Sequence, residues 1–265
     1  MSGRFFQVVA GVCLLVTGVC AQAPPADGSL ADLQRRAKNG DADAQITLGT
    51  LYEAGDRVPR DVARAATLYR QAAQTGHVGA QINFAILLLD GQGIRRDPAE
   101  AVAWLRQAAT HGNAFAQLTL GSLYETGDAP VARDEREAAT WYRRAADQGL
   151  VPAQYLLARL YEEGRGVPRD LDEAAAWYRK AADRADPAAQ FRLGLLMRPG
   201  NGARTDVVEA HKWLNLAASR WENKEHRIEA AARREALEAV MTSDQISEAT
   251  KRALRWQDTV GLQPH

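Results

Sequence analysis

Hydrophobic residues recur along this chain at the spacing of one helix face. In the segment AQITLGTLYEAG, Ala44, Leu48, Leu51 and Tyr52 stand at positions i, i+4, i+7 and i+8. Gly55 follows, and glycine commonly comes directly after the last turn of a helix. The spacing therefore predicts an amphipathic helix that begins near Ala44 and stops before Gly55.

A second amphipathic pattern lies in the segment RDLDEAAAWYRKAADRA. One helical face of this segment carries Ala174, Trp177, Tyr178 and Ala181. Asp170 precedes that face and Glu173 stands three residues later, which predicts an N-cap with a capping box. These two acidic residues are therefore expected to start a helix and not to form a catalytic pair of carboxylates.

Both patterns occur five times. The first begins at Ala44, Ala80, Ala116, Ala153 and Ala189, and the second at Arg60, Arg96, Arg133, Arg169 and Thr205. Successive copies are 36 residues apart, with one extra residue between Gly127 and Asp134. Because a fixed period of this length is the signature of a solenoid, we predict five helix-turn-helix units, at residues 42–77, 78–113, 114–150, 151–186 and 187–221.

The segments that flank the units are helical in pattern but atypical, as the ends of a solenoid are. Residues 30–39 predict a single helix capped by Ser29, so the predicted solenoid covers residues 30–221. Residues 222–265 carry two further amphipathic patterns. The predicted fold is all-α: an α-solenoid of five 36-residue helix-turn-helix repeats with an N-terminal half-repeat helix and C-terminal capping helices.

One position of the first pattern holds only small residues, namely Gly49, Ala85, Gly121, Ala158 and Gly194. A glycine in the middle of a helix costs about 1 kcal/mol relative to alanine. We therefore expect another backbone to pass close to this position.

The pattern AQ…LG.LYE.G…P.D…A..WYR.AA..G resembles the Sel-one-like repeat (SLR) family, a branch of the tetratricopeptide superfamily whose parent period is about 34 residues. The resemblance covers residues 42–221 and implies an α-solenoid that binds proteins or assembles complexes, often in the bacterial envelope. Cysteine-rich members of the family join each helix pair by a disulfide, and some have been linked to penicillin binding or β-lactam hydrolysis. This chain lacks those cysteines in its repeats.

The N-terminal segment has the pattern of a secretory signal peptide. Arg4 precedes an uncharged apolar run from Phe5 to Val19, and Ala21 is a suitable residue before a cleavage site. We predict a signal peptide over residues 1–21 and a linker over residues 22–29. A retained membrane anchor is the alternative, although the run is shorter than the about 20 residues of a membrane span.

Composition narrows the class of protein further. The chain has 33 basic and 33 acidic residues and is 46% hydrophobic, which is typical of a globular protein without a charged tail. The absence of a basic stripe argues against nucleic acid as a partner. Cys13 and Cys20 both lie in the predicted signal peptide. We expect export to the periplasm, with secretion or membrane anchoring as alternatives, and no stable membrane insertion after cleavage.

The sequence carries no recognisable catalytic, cofactor or metal site. Ser247 and Lys251 are four residues apart, which is not the S-x-x-K spacing of a β-lactamase or transpeptidase. The five histidines form no H-E-x-x-H motif. A stripe of tryptophans could stack on a glycan, but Trp104, Trp141, Trp177 and Trp213 share one packing position and are better explained as core.

We therefore predict a non-enzymatic scaffold or regulator that binds a protein or peptide partner in the cell envelope. The alternative is an enzyme or binder that acts on cell-wall or β-lactam substrates, as the cysteine-rich relatives suggest. The predicted partner face is an outward stripe on the first helices, which should line the concave side of the solenoid. Its residues are Thr47, Thr50, Asn83, Ile86, Thr119, Ser122, Leu156, Arg159, Arg192 and Leu195.

These ten residues change from unit to unit while the packing residues repeat, which is how a repeat array could recognise a ligand that is not repetitive. Ordinary solvated surface is the alternative explanation for any one of them.

The signal-peptide prediction can be tested by N-terminal sequencing of the exported protein. We expect the mature chain to begin at Gln22, because Ala21 is the residue that the peptidase would read before the cut. An intact Met1 end recovered from the membrane fraction would establish the anchor instead.

Overall fold

The structure is a computed structural model that describes residues 29–127, 131–200 and 204–260. The predicted signal peptide and residues 22–28 of the predicted linker lie outside the described residues. The described residues form thirteen α-helices and no β-strand: α1 Leu30–Lys38, α2 Ala42–Ala54, α3 Val62–Gln74, α4 Val78–Asp90, α5 Pro98–Thr110, α6 Ala114–Thr126, α7 Glu135–Asp147, α8 Val151–Glu163, α9 Leu171–Ala182, α10 Pro187–Leu196, α11 Val207–Arg220, α12 Lys224–Glu238 and α13 Ser243–Val260. The predicted all-α solenoid is confirmed.

The chain divides into two compact units, Met1–Trp141 and Tyr142–His265, and the boundary falls inside α7. In the first unit, each helix from α1 to α6 packs against its neighbours in the chain. In the second unit, α8 to α11 pack in the same way, and α11 contacts both α12 and α13. The two C-terminal helices therefore cover the last repeat.

Each second helix of a repeat begins at an aspartate, as predicted. The side chains of Asp61, Asp97, Asp134, Asp170 and Asp206 each accept a hydrogen bond from the backbone N–H three residues later, at 2.9 to 3.1 Å. These contacts satisfy one of the backbone donors that a helix leaves unpaired at its start. The aspartates therefore act as N-caps.

The reciprocal half of the predicted capping box does not form. The backbone N–H of Asp170 donates instead to the carbonyl of Tyr161 at 3.0 Å, and the other four caps make the equivalent bond. Because this N–H is already satisfied, the glutamate at the third helical position is available to another group. Glu137, for example, accepts from Trp141 Nε1 at 3.1 Å.

A buried glutamine joins successive repeats. The five glutamines of the AQ motif are at most 5% exposed. The side-chain amides of Gln45, Gln117, Gln154 and Gln190 donate to the carbonyls of Ala37, Ala109, Ala146 and Ala182, at 3.1 to 3.2 Å. Each of these carbonyls lies at or near the end of the preceding helix. The amide therefore ties the start of one repeat to the end of the segment before it.

The same carbonyl also closes the turn between the repeats. The carbonyl of Ala182 accepts from the backbone N–H of Ala185 at 3.0 Å, and Gly40, Gly112 and Gly149 make the equivalent bond. All four turn residues have positive φ, from 65° at Ala185 to 88° at Gly40. Both lone pairs of the carbonyl are thus used, one by the turn and one by the glutamine.

The first helices also have side-chain N-caps, which the sequence analysis did not predict. Asp41, His77, Asn113 and Asp186 each accept from the backbone N–H three residues later, at 2.7 to 3.3 Å. In the sequence, these N-caps are indicated by a polar residue of varying type that directly follows the turn between two repeats. The fourth repeat has Leu150 there, which makes no side-chain cap.

The tryptophan series is largely buried, as predicted for core residues. Trp141, Trp177 and Trp213 are 8%, 4% and 0% exposed, while Trp104 is half-buried. The next residue along the helix is buried more uniformly. Tyr69, Leu105, Tyr142, Tyr178 and Leu214 are at most 1% exposed. The centre of each helix pair therefore lies at this position, one residue beyond the tryptophan.

Two of the small residues in the first helices, Gly49 and Gly194, lie closer to a neighbouring side chain than to a neighbouring backbone. A Cβ atom added at Gly49 would lie 2.6 Å from Cε1 of the Tyr69 ring. At Gly194 it would lie 2.8 Å from Cγ of Leu214 and 3.1 Å from the backbone oxygen of Ala210. The expected close approach is present, but the ring of Tyr69 is the nearest group at Gly49.

The turn at Ala185 gives a direct test of this joint. An L-residue other than glycine pays about 1–2 kcal/mol in the left-handed region, so we expect Ala185→Gly to raise the free energy of unfolding by about 1 kcal/mol. Gly112→Ala is the reverse substitution and serves as the control. A Cβ atom added there meets nothing within 4 Å, so the positive φ of 84° is the one feature that disfavours alanine. Urea denaturation should show that Ala185→Gly raises the free energy of unfolding and that Gly112→Ala lowers it. Equal signs would contradict the role of positive φ in the turn.

Candidate functional site

The predicted partner face is only partly open in the first unit. Thr50 is exposed, and Thr47, Asn83 and Ile86 are half-buried. Thr119 and Ser122 are buried, with 4% and 6% of their surface exposed. A ligand on this stripe could therefore reach the first two repeats more readily than the third.

The threonine hydroxyls of this stripe are also engaged. Thr47, Thr50 and Thr119 each donate to the backbone carbonyl four residues earlier, at 2.8 to 3.0 Å. Their oxygens can still accept a hydrogen bond, since a hydroxyl has two lone pairs. In the first unit the stripe therefore offers mainly acceptors and methyl groups.

In the second unit the stripe includes a polar network. Leu156 is 8% exposed, and Arg159, Arg192 and Leu195 are half-buried. Arg192 Nη1 lies 3.6 Å from Glu162 Oε1, and the Tyr178 hydroxyl donates to Glu162 Oε2 at 2.7 Å. Arg192 is therefore held by a carboxylate of the neighbouring first helix.

The surroundings of this network shift the pKa values of its members. Burial, together with the nearby Glu162, raises the pKa of the Tyr178 hydroxyl far above its usual value. Burial alone would lower the pKa of Arg192, but Glu162 and the nearby tyrosines outweigh it and raise that pKa. At neutral pH the hydroxyl is thus a donor and the arginine is charged, which matches the bonds to the carboxylate.

The tyrosine and the glutamate occur together within repeats. Tyr69 donates to Glu53 Oε2 at 2.9 Å, in the same arrangement as Tyr178 and Glu162. Where the tyrosine is replaced by Leu105 or Leu214, the glutamate position holds Leu89 or Arg198. A buried hydroxyl without a partner is costly, so the two positions change together.

Arginines on the second helices contact the following repeat. Arg106 donates to the Tyr124 hydroxyl and Arg143 to the Tyr161 hydroxyl. The guanidinium carbon of Arg143 also lies 5.8 Å from the centre of the Trp177 ring, within the range of a cation–π contact. These second-helix arginines are therefore part of the packing between repeats.

Three clefts of the first unit lie along the second helices. Cleft A is about 390 Å³ and is lined by residues that include Lys38, Leu48, Tyr52, Arg64, Thr67 and Leu68. Cleft B is about 310 Å³ and includes Thr67, Arg70, Phe84, Leu88, Arg95 and Glu100. Cleft C is about 350 Å³ and includes Val102, Arg106, Tyr124, Val131 and Asp134. No residue of the predicted stripe lines them.

The last repeat carries a cluster of charges that holds the C-terminal helices. Glu209 accepts from Lys212 Nζ at 3.2 Å and from Arg252 Nη1 of α13 at 3.1 Å, and Arg179 Nη1 lies 3.4 Å away. Burial would raise the pKa of Glu209, but these cations hold it below its usual value. His211 is a buried residue at a position that differs between repeats, and it contacts Glu238 Oε1 of α12 at 2.7 Å. This cluster therefore connects α11 with α9, α12 and α13.

Within the described ranges, no group of three or more His, Cys, Asp or Glu side chains could hold a metal ion. The helices of those ranges include none that is long and apolar enough to cross a membrane.

The geometry defines a class of protein: an all-α solenoid of helix pairs that join through buried glutamines. A model of the Sel1 repeat matches residues 42–77, 78–113, 114–150, 151–186 and 187–220. These matches cover more than half of the chain. The chain therefore belongs to the Sel1 repeat family, which confirms the resemblance seen in the sequence.

Solved structures agree with this assignment. A Sel1 repeat protein from Oxalobacter formigenes is 27% identical, with a TM-score of 0.66, over 96% of this chain and 98% of that chain. The protein c5321, a protective antigen with an SLR fold from uropathogenic Escherichia coli, is also 27% identical, with a TM-score of 0.52, over 86% of this chain and 56% of that chain. No curated protein matches the chain.

The pairing of tyrosine and glutamate predicts a non-additive stability effect. Glu162→Leu should lower the free energy of unfolding by about 1.5–3 kcal/mol, because it leaves the hydroxyl of Tyr178 and the charge of Arg192 without their partner. Adding Tyr178→Phe should recover about 1 kcal/mol of that loss, since the unpaired hydroxyl is then gone.

Urea denaturation of the two single variants and the double variant would measure this coupling. Glu163→Leu is the matched control, because Glu163 is exposed and pairs with Arg165 at 3.0 Å. Strictly additive losses would show that the hydroxyl does not depend on Glu162.

Proposed function

We propose that this chain is a non-enzymatic scaffold that binds a protein or peptide partner in the bacterial cell envelope. The observation that carries the proposal is the contrast between the repeated and the varying positions. The glutamine joints, the aspartate caps and the buried position after the tryptophan recur through the repeats, whereas the stripe on the first helices does not. A frame that repeats and a surface that varies suit the recognition of an extended, non-repetitive partner.

The stripe that we expect to form the concave face is the proposed contact surface. In the first two repeats its open residues are Thr47, Thr50, Asn83 and Ile86. They offer an amide, hydroxyl oxygens and an apolar side chain, which suit the backbone groups and side chains of a peptide. In the second unit Arg159 and Arg192 add guanidinium donors, which pair well with a carboxylate.

We further propose that the mature chain works in the periplasm. The support is the signal-peptide pattern of residues 1–21, because such a segment directs a chain out of the cytoplasm. No observation favours the alternative activity on cell-wall or β-lactam substrates.

Site-specific photo-crosslinking would test the binding function. A benzophenone side chain placed at Thr50 or Asn83 of the mature chain should capture a discrete partner from envelope extract, because both positions lie on the open part of the stripe. Ala232 is the control position, since it is exposed on α12 and outside the repeats.

Capture at Ala232 equal to that at Thr50 and Asn83, or no capture at either stripe position, would contradict the proposed surface. Hydrolysis of nitrocefin by the same purified chain would support the enzymatic alternative in its place.

A further inference from the structure

The last helix of the described chain, α13, packs on a surface of the second helix α11. Arg252 Nη1 of α13 donates to Glu209 Oε1 of α11 at 3.1 Å. The ring of Trp256 meets the ring of Trp213 edge-on, with the two ring centres 5.9 Å apart. A carboxylate and a tryptophan of α11 thus hold an arginine and a tryptophan of α13.

The residues of α13 that make this contact follow a simple pattern. Ala249 and Ala253 are four residues apart and at most 2% exposed. Arg252 and Trp256 are also four residues apart, so the segment reads A-x-x-R-A-x-x-W. Residues three and four apart share one side of a helix, and small side chains let two helices approach closely. One side of a short helix is therefore enough for this recognition.

The second helix of the second repeat, α5, carries the same two acceptors. Glu100 and Trp104 stand at the repeat positions of Glu209 and Trp213. As at Glu209, an arginine of the preceding second helix lies close by: Arg70 Nη2 is 3.6 Å from Glu100 Oε1. Trp104 Nε1 donates to the same oxygen at 3.3 Å. Because both contacts use Oε1, the second oxygen of Glu100 can accept from a further cation.

This face of α5 is more open than its counterpart on α11. Trp104 is half-buried, whereas the other three tryptophans of the series are at most 8% exposed. Ala103 is exposed and takes the place of Lys212, whose Nζ donates to Glu209 at 3.2 Å. Glu100 therefore lacks one of the cations that hold Glu209, and no long side chain stands at the position of Ala103.

One further position distinguishes the second repeat from the fourth. In the fourth repeat, Lys180 Nζ lies 3.5 Å from the centre of the Trp177 ring, which is 4% exposed. Gln107 takes the place of this lysine in the second repeat, and its side-chain oxygen accepts from Gln81 Nε2 of α4 at 3.2 Å. Gln107 thus brings no cation to the ring of Trp104. The second repeat combines the carboxylate with an open tryptophan.

We propose that the face of α5 formed by Glu100, Ala103 and Trp104 binds a helix of a partner protein that has the pattern A-x-x-R-A-x-x-W. The arginine would pair with Glu100, the tryptophan would meet Trp104 edge-on, and the alanines would pass over Ala103. This face is separate from the first-helix stripe, so the proposal does not depend on the stripe being a binding face.

The occupant is a partner protein and not a second copy of this chain. The α13 helix of each copy is already packed on its own α11, and only residues 239–242 join it to α12. Such a short connection gives the intramolecular contact a high effective concentration, which a second molecule does not match.

The probe is a fluorescein-labelled peptide with the sequence of residues 242–260, and anisotropy follows its binding to the mature chain. The control peptide carries Arg252→Glu and Trp256→Ala. Because the chain's own α13 covers α11, the face of α5 is the site that remains for the peptide. We expect the first peptide to bind at least about tenfold more tightly than the control.

Two matched pairs of chain variants locate the site. Glu100→Lys should weaken binding of the peptide by about tenfold or more, because it reverses the charge that meets the arginine. Glu173→Lys is its control, at the same position of the fourth repeat, where the tryptophan is buried. Ala103→Arg should also weaken binding, since a long side chain would stand under the helix. Ala176→Arg, at the equivalent exposed position of the fourth repeat, should not.

Circular dichroism would confirm that the four variants are folded. The proposal is overturned if the peptide fails to bind, if both peptides bind equally, or if Glu100→Lys binds as tightly as Glu173→Lys. Light scattering should show that Ala103→Arg leaves the oligomeric state of the chain unchanged. A dimer that this substitution dissociates would make a second copy the occupant and overturn the choice of partner. Crosslinking at Thr50 and Asn83 is independent of these results, so the two proposals can fail separately.

Discussion

The carbonyl near the end of each second helix is the group on which the order of the repeats depends. At Ala182 it accepts one hydrogen bond from the turn that follows and a second from the buried amide of Gln190. The last carbonyls of a helix have no partner within the helix, and burial makes an unpaired one costly. The side-chain amide of the glutamine donates to this carbonyl. The contact also fixes where the next first helix must start.

The glutamine also explains how polar groups can lie inside a protein whose core is mostly alanine and leucine. Gln190 is fully buried, yet its amide nitrogen donates to Ala182. The same principle governs the tyrosines at the centre of the helix pairs, whose hydroxyls reach Glu53 or Glu162 at the edge of the first helix. In each case the donor atom that enters the core has an acceptor, so a repeat is defined by pairs of positions more than by single residues.

Much of the fold could be predicted from the sequence because its strongest signals are local. The period of 36 residues, the aspartates before the second helices and the glycines after the first helices all report on the backbone near them. The prediction of a capping box was wrong because of a contact outside the helix. The backbone N–H of Asp170 donates to the carbonyl of Tyr161 in the preceding helix, so Glu173 has no N–H to accept from at this N-cap.

The candidate site was harder to predict than the fold because exposure depends on neighbours that are distant in sequence. Spacing alone placed Thr50 and Thr119 on the same stripe, yet one is exposed and the other is buried. The clefts were missed because their walls come from successive helices and, in clefts B and C, also from the loop inside a repeat. Cleft B alone had a sequence signal, the replacement of the usual tyrosine by Leu88, and this replacement by itself does not indicate a cleft.

The glutamine joint has a consequence for how such a chain can change in length. The donor Gln154 and the acceptor Ala146 are eight residues apart, and Gln190 and Ala182 have the same separation. The joints of Gln45 and Gln117 also have this separation, so each of these four joints is encoded within one short segment. None of the four relies on the loop inside a repeat, where the extra residue of the third unit is found. Duplication or deletion of a whole repeat in the gene would carry complete joints with it, so the array can grow or shrink by recombination without a second, compensating mutation.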